Sequence, residues 1–382
     1  MATRRHFLAT SALAGGALGA ATIMPGTLAA LAQSAGKPLR ILILGGTGFI
    51  GPHQVRYAVA RGHTVTLFNR GRTNPGLFKG MQGIEERIGD RAPNPGNYDA
   101  LKAGEWDVVI DNPTTRPRWV REAAAAVKGR AGQYVFISTI SVYARNDTPG
   151  ADESAAVATT TTPDVESGPE FMPLYGPLKA LSEQEAEKAF PGRATIIRPG
   201  LIVGVGDLTD RFTYWPVRIS RGGTVLAPPA DDPVQIIDAR DLAEWTVRCC
   251  EQNVYGVYNA TGPAARFTVR QMVEGIKTAV GSDASIVHAS AAFLAQQQPP
   301  VRGWSDLPVW MPPIGETAGF TQRSIAKALA KGLTFRPYGD TVKETLAFYG
   351  QQTEERKAQL RAGLAADREA AVLAALKSQA AG

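Results

Sequence analysis

The sequence predicts an α/β protein built on a doubly wound parallel sheet, and three observations predict it. Short apolar runs recur along the chain from Leu39 onward, helix-length segments separate them, and a glycine-rich turn directly follows the first run. Continuous apolar runs suit strands buried on both faces, as in a parallel sheet. Strand–helix alternation is the pattern of chains wound with helices on both faces of such a sheet. A chain of 382 residues with 44% hydrophobic content is long enough for one large domain or two intimate ones.

The elements follow in order. Leu39–Leu44 (LRILIL) predicts the first strand, Gly48–Arg61 a helix and Thr64–Phe68 the second strand. Ile84–Ile88 reads as a weaker third strand, Asp107–Ile110 as the fourth, Arg116–Gly129 as a helix and Tyr134–Ser138 as the fifth strand. Thr148–Pro173 is rich in Thr, Pro, Gly and acids without periodicity, and reads as a long surface loop. A helix over Tyr175–Ala189 and a strand at Thr195–Arg198 close the first domain, residues 36–200. Beyond Gly200 the pattern loosens into short segments and turns such as Ala227-Pro228-Pro229. Residues 201–349 therefore read as a smaller C-terminal substrate-binding region, interleaved with the sheet's last strands at Gln235–Ile237 and Val257–Asn259. Thr341–Ala380 is rich in Ala, Glu, Lys, Leu and Arg, which predicts one or two amphipathic helices, with 350–382 as a helical tail. There is no internal repeat.

Residues 1–35 are a different kind of sequence. Arg4-Arg5-His6-Phe7-Leu8 precedes a Gly/Ala-rich, weakly apolar stretch, and Ala30-Leu31-Ala32 offers a small-residue cleavage site. This is the layout of a signal peptide, and the paired arginines resemble a bacterial twin-arginine export signal. The expectation is cleavage, export to the periplasm by the twin-arginine machinery, and no stable membrane association afterwards. That route is known for carrying proteins already folded, often with a cofactor inside. The only two cysteines, Cys249 and Cys250, are adjacent on a predicted helix and read as small buried apolar residues. The net charge of +6 is not concentrated in any Lys/Arg run, which argues against a nucleic-acid partner. His6, His53, His63 and His288 show no metal-ligand spacing, so no metal is expected.

The turn after the first strand reads Gly45-Gly46-Thr47-Gly48-Phe49-Ile50-Gly51. Gly45, Gly48 and Gly51 give a chain that can turn tightly and let a pyrophosphate approach the backbone, while the following helix offers free N–H groups. Placed between a buried strand and a helix, this predicts dinucleotide binding through Gly45, Thr47, Gly48, Phe49, Ile50 and Gly51. A site for NAD usually has an acid near the end of the second strand, bonded to the ribose. Here that end reads Phe68-Asn69-Arg70-Gly71-Arg72, with two arginines and no acid. Asn69, Arg70 and Arg72 therefore favour NADP over NAD, because Arg pairs with a 2′-phosphate.

The fifth strand ends in Ser138-Thr139-Ile140-Ser141-Val142-Tyr143, and a helix opens with Tyr175-Gly176-Pro177-Leu178-Lys179. Tyr175 and Lys179 lie one helical turn apart on one face. A nearby cation, Lys179 or a nicotinamide ring, would let the phenol act as an acid/base below its free pKa of about 10. Together these motifs resemble the extended short-chain dehydrogenase/reductases, which include the sugar-nucleotide epimerases and dehydratases, over roughly Leu39–Tyr349. The resemblance implies a Rossmann-type sheet, Thr139, Tyr175 and Lys179 as the catalytic set, and Tyr175 and Lys179 also against the cofactor. It further implies Pro199 against the nicotinamide, Asp90 near the adenine, and Ser141, Asp207, Arg211, Tyr214 and Trp215 toward a small, sugar-like or other hydroxyl or ketone substrate. A homodimer through helices beside the sheet is the family habit. Two departures from the sugar-nucleotide enzymes are the long insertion before Tyr175 and the arginines after the second strand. An exported enzyme has no NADPH pool to exchange with, so a tightly held, self-recycled cofactor is expected, and with it epimerisation, dehydration or hydride shuttling. The alternatives are a non-catalytic nucleotide- or nucleic-acid-binding protein on the same fold, and a cytoplasmic NADPH-dependent carbonyl reductase.

Overall fold

Ile41 and Ile43 of the first apolar run enter one core layer, and Leu42 and Leu44 enter another. Alternate residues of a strand point to opposite faces, so an uninterrupted apolar run is what a strand covered on both sides requires. The computed structural model describes residues 36–112 and 114–381. The expected twin-arginine signal lies outside the described residues.

In chain order the first half holds β1 (Arg40–Leu44), α1 (Gly51–Ala60), β2 (Thr64–Asn69), β3 (Ile84–Ile88), β4 (Trp106–Asp111), α2 (Pro117–Val127), β5 (Ala131–Ile137), α3 (Tyr175–Ala189) and β6 (Ala194–Pro199). The second half adds β7 (Leu201–Val203), α4 (Tyr214–Ser220), β8 (Thr224–Ala227), β9 (Ile236–Asp238), α5 (Ala239–Glu251), β10 (Gly256–Ala260), α6 (Val269–Val280) and β11 (Ser285–His288). It ends with α7 (Ala291–Gln296), α8 (Ala326–Leu329), α9 (Tyr338–Gly350), α10 (Glu354–Ala358) and α11 (Ala366–Ala381).

The main sheet has seven strands in the order β10-β6-β5-β4-β1-β2-β3, and every neighbouring pair is parallel. This is the predicted doubly wound sheet of Rossmann type. Helices α1 and α5 pack together, as do α2 and α3. The α1 and α5 layer buries Val55, Ala58, Leu242 and Trp245, and the α2 and α3 layer buries Val120, Ala123, Ala186 and Phe190. The strand order reverses beside β1, between β2 and β4. In sheets of this kind ligands bind there, at the carboxyl ends of the strands.

Three expected elements differ. The helix expected from Gly48 begins at Gly51, with Pro52 in its first turn, so the glycine turn is longer. Gln235–Ile237 does not join the main sheet. The strand there, β9, pairs with β7 in a separate two-stranded parallel sheet, because the chain bends at Pro199-Gly200 and carries β7 away from β6. Instead β10 completes the main sheet against β6. The C-terminal stretch makes three helices, α9, α10 and α11, not one or two. A third core cluster fills the smaller region, with Phe212, Trp215, Val273, Leu307 and Trp310 among its buried residues. Cys249 and Cys250 are free and buried. Among the described residues, no helix is long and apolar enough to cross a membrane.

Candidate active site and nucleotide cavity

The glycine turn is shaped by two of its three spaced glycines. Gly45 has φ +81°, a conformation that side chains rarely adopt. A Cβ on Gly51 would stand 2.6 Å from a backbone atom of Gly46, so the start of α1 lies directly on the turn. Gly48 has no such constraint, its nearest neighbour being 3.9 Å from a built Cβ. The N-cap residue Ile50 makes no side-chain cap, and the first turn of α1 carries no acid. The free amides and positive dipole end of α1 are therefore left for an anion.

A cavity of about 420 Å³ opens here. Gly45, Thr47, Gly48, Phe49, Ile50 and Gly51 line one side, and Asn69 and Arg70 line it after β2. Arg91 follows β3, Asn112 follows β4, Trp119 comes from α2 and Ile202 from β7. Among the described residues, four buried polar atoms on this wall have no hydrogen-bond partner: Asn69 Nδ2, Arg91 Nε, Asn112 Oδ1 and Trp119 Nε1. Unpartnered polar atoms are costly inside a protein and mark a surface that a polar ligand completes. The cavity thus fits a dinucleotide: amides for phosphate at one end, and donors and acceptors along its length.

Several expected contacts fall differently. Arg72 is exposed and does not line the cavity, whereas Arg70, also exposed, does. Asp90 is turned into its own loop, its carboxylate accepting from Ala92 N at 2.9 Å and its carbonyl from Asn97 N at 2.7 Å. Its neighbour Arg91 faces the cavity instead and is fixed by a bidentate pair to buried Asp111, at 2.6 and 2.9 Å. The Tyr134 hydroxyl also donates to Asp111, at 2.6 Å. Pro199 ends β6 opposite Ala260, and it is Ile202 that reaches the cavity wall. Asn112 was findable from sequence, since it directly follows the fourth strand where the fold places its ligand. Trp119 and Arg91 were not, because only tertiary packing decides which way they turn.

The insertion before α3 crosses toward this cavity. Glu166 holds Arg118 through Oε1 at 2.6 Å and Oε2 at 2.7 Å, and its carbonyl accepts from Arg116 at 2.8 Å. The Arg116 guanidinium lies over both Trp119 and Phe171, at 4.8 and 4.9 Å from their ring centres. Part of the stretch read as a plain surface loop is therefore latched to α2 beside the cavity.

The structure brings Thr139 and Tyr175 together. Thr139 ends the β5 segment as cap of a short 3-10 turn (Ile140–Val142), its Oγ1 accepting from Ser141 N at 3.1 Å. Its hydroxyl lies near enough to the Tyr175 phenol to act on the phenol's proton affinity. Burial raises the Tyr175 pKa above its ordinary value, against the lowering effect of the Thr139 hydroxyl and the positive charge of Arg211. Arg211 is thus the cation whose field reaches Tyr175, and the expected tuning by Lys179 is not seen. Lys179 is fully buried and donates to the Ile137 carbonyl at 2.7 Å, with its ammonium over the Phe136 ring. Desolvation there lowers its pKa to about 7, against the pull of Asp111 and Glu183.

Beneath this pair Glu183 braces the site. It accepts from Ser138 Oγ and pairs with Arg198 through two bonds of 2.9 and 2.6 Å. Tyr143 donates to Asn259 at 2.6 Å, which gives it a structural place. Of the expected substrate residues, Ser141 is half-buried beside Thr139. Asp207 is buried, bonded to Thr209 N and Oγ1. Arg211 lies near enough for its charge to act on Tyr175. Tyr214 and Trp215 turn away: Gly363 packs directly on the Tyr214 ring, and Trp215 Nε1 donates to the Pro308 carbonyl at 2.7 Å. Both sit on α4, whose inward face builds the third core. Among the described residues, no group of three His, Cys, Asp or Glu side chains is placed to hold a metal.

Fold and cavity together define a Rossmann-type α/β chain with a cavity at the carboxyl ends of its central strands. No family model matches the chain. An epimerase family protein of Bos taurus is 26% identical over 273 residues, spanning 67% of this chain and 86% of that protein. A 2-alkyl-3-oxoalkanoate reductase of Stenotrophomonas maltophilia (strain K279a) is 32% identical over 187 residues, spanning 44% and 52%. The solved structure of UDP-glucuronic acid 4-epimerase from Bacillus cereus in complex with NAD superposes with a TM-score of 0.57 at 15% identity, covering 82% of this chain and 99% of that one. The structural likeness shows the shared fold.

Proposed function

We propose that this chain is an NAD(P)-dependent enzyme of the extended short-chain dehydrogenase/reductase type, acting by hydride transfer at a carbinol or ketone. One observation carries the reading: Thr139 and Tyr175 stand together just beyond the end of β5, at the same carboxyl edge of the sheet as a cavity where four buried polar atoms have no partner among the described residues. The similarity to an epimerase family protein and to a ketone reductase supports the same chemistry. A bound nicotinamide would supply the hydride donor or acceptor. Thr139 orients the substrate oxygen, and Tyr175 gives or takes the proton at that oxygen. The glycine turn and α1 hold the pyrophosphate, and Asn69 and Arg70 the adenosine ribose, while Lys179, buried against Ile137 and Phe136 and absent from the cavity wall, is not placed to hold the nicotinamide ribose as expected. Arg70, without an acid nearby at the end of β2, favours NADP.

Export in folded form through the twin-arginine route belongs to the same proposal, with the nucleotide held and recycled in place. The latch of Glu166 on Arg118 and Arg116 supports slow nucleotide exchange. The test is to denature mature protein purified from the periplasm and to measure the mass and absorbance of what is released. Stoichiometric NADP or NAD is the expected result. Protein that carries none and takes it up only weakly overturns the held-cofactor reading. Tyr175→Phe is expected to keep the nucleotide and lose at least about a thousandfold of turnover.

A further inference from the structure

Most arginines withdrawn from solvent are paired with carboxylates, among them Arg91 with Asp111, Arg198 with Glu183, Arg218 with Glu369 and Arg336 with Asp241, while buried Arg323 bonds the Arg145 carbonyl and Asn146 Oδ1 instead. Arg211 is an exception. It is half-buried in the loop between β7 and α4, where its Nε donates to Thr209 Oγ1 at 3.1 Å and its guanidinium lies 5.0 Å from the Trp304 ring centre. Among the described residues its two terminal nitrogens make no hydrogen bond or ion pair with the protein. Those nitrogens form the fork that a carboxylate fills with two parallel bonds.

The loop around it is fixed before any ligand arrives. Asp207 ties both Thr209 N and Thr209 Oγ1. Buried Asp210 accepts from Arg356 at 2.6 Å and from Arg361 N at 2.8 Å. Trp304, the platform beneath the guanidinium, is itself held edge-on by Phe320. Arg211 is thus preorganised, at low entropic cost to a ligand, on the side from which its charge reaches Tyr175.

We propose that Arg211 receives a carboxylate carried by the substrate, so that the site acts on hydroxy acids and the matching keto acids, uronic acids included. Thr139 and Tyr175 would hold the carbinol oxygen while Arg211 holds the anion. This rests on Tyr175 being the proton donor of the proposed reaction.

The test is calorimetric binding to the nucleotide-loaded protein of a panel of 2- and 3-hydroxy acids and hexuronates, each beside its primary amide. At least one acid is expected to bind about 10- to 100-fold more tightly than its amide, the worth of a charge-assisted pair. Arg211→Gln is expected to erase that ratio. Arg211→Lys, which keeps the charge, is expected to lose the bidentate part of it. The proposal is overturned if no acid in the panel outbinds its amide, or if both variants keep the wild-type ratio. It is also overturned if a phosphate monoester binds more tightly than every acid. The Tyr175→Phe turnover result reports on hydride transfer separately. Discrimination that depends on Arg211 in a protein that never reduces its nucleotide would sink the proposed function and leave the carboxylate site standing.

Discussion

Lys179 keeps its ammonium in a place that resists charge. Its side chain is buried and its pKa falls to about 7 from 10.5. An unfolded chain keeps this proton up to about pH 10.5, and the folded protein releases it above about pH 7. Between those limits the unfolded state binds more protons, so the Lys179 contribution to stability rises with pH and is least favourable below pH 7. For nucleotide-free protein, Lys179→Met is therefore expected to be more stable than wild type near pH 6.5. That advantage should shrink by about 1.4 kcal/mol per pH unit above 7; urea melts at pH 6.5 and 9 would read it. A constant gap would show that the amine is not charged by pH in this way. A second residue-scale expectation concerns Arg70, which lines the cavity, and Arg72, which does not. Arg70→Ala should weaken NADP about 10- to 100-fold and leave NAD nearly unchanged, while Arg72→Ala should do much less. Equilibrium titration of both nucleotides against both variants checks it. At this scale the sequence was legible wherever a local pattern carries the chemistry, as with the glycine turn, Thr139 and Tyr175. It was not legible where orientation decides, so Arg91 faces the cavity in place of Asp90, and Tyr214 and Trp215 point into a core.

The elements were readable for a related reason. Strands buried on both faces announce themselves as apolar runs, and β1, β2 and β4 stand close to where the sequence places them. β9 was assigned to the wrong sheet, because three residues of strand carry no information about which neighbour they pair with. The insertion before α3 shows no periodicity, and its order comes from single contacts to α2 that composition does not reveal. Those contacts are testable. Glu166→Ala removes both bonds to Arg118 and is expected to speed nucleotide release severalfold, with little change in melting temperature because a partly exposed pair contributes about 1 kcal/mol or less. Dilution of loaded protein into excess labelled nucleotide gives the rate. At the other end of the molecule, Thr268 and Gln271 form a reciprocal capping box on α6. Thr268→Ala should cost about 1 kcal/mol in chemical denaturation.

At the scale of the whole molecule, the last helix matters to a core laid down much earlier in the chain. Glu369 on α11 is buried, bonds Arg218 of α4, and accepts from Leu226 N of β8 at 2.9 Å. Glu369→Ala leaves Arg218 without its carboxylate and is expected to destabilise the protein by about 3 kcal/mol. Glu369→Gln, which still accepts the Leu226 bond, should cost less; guanidinium melts distinguish the two. The same placement of Glu369 bears on how the protein is made. The six strands from β1 to β6, with α1, α2 and α3, are translated before the segment that carries Glu369. Residues 366–381 leave the ribosome after those strands, and only then does the region around Arg218 and Tyr214 acquire its carboxylate and its cover. Under the proposed function, this order gives a newly made chain an interval in which to load its nucleotide before the region around Arg218 is complete.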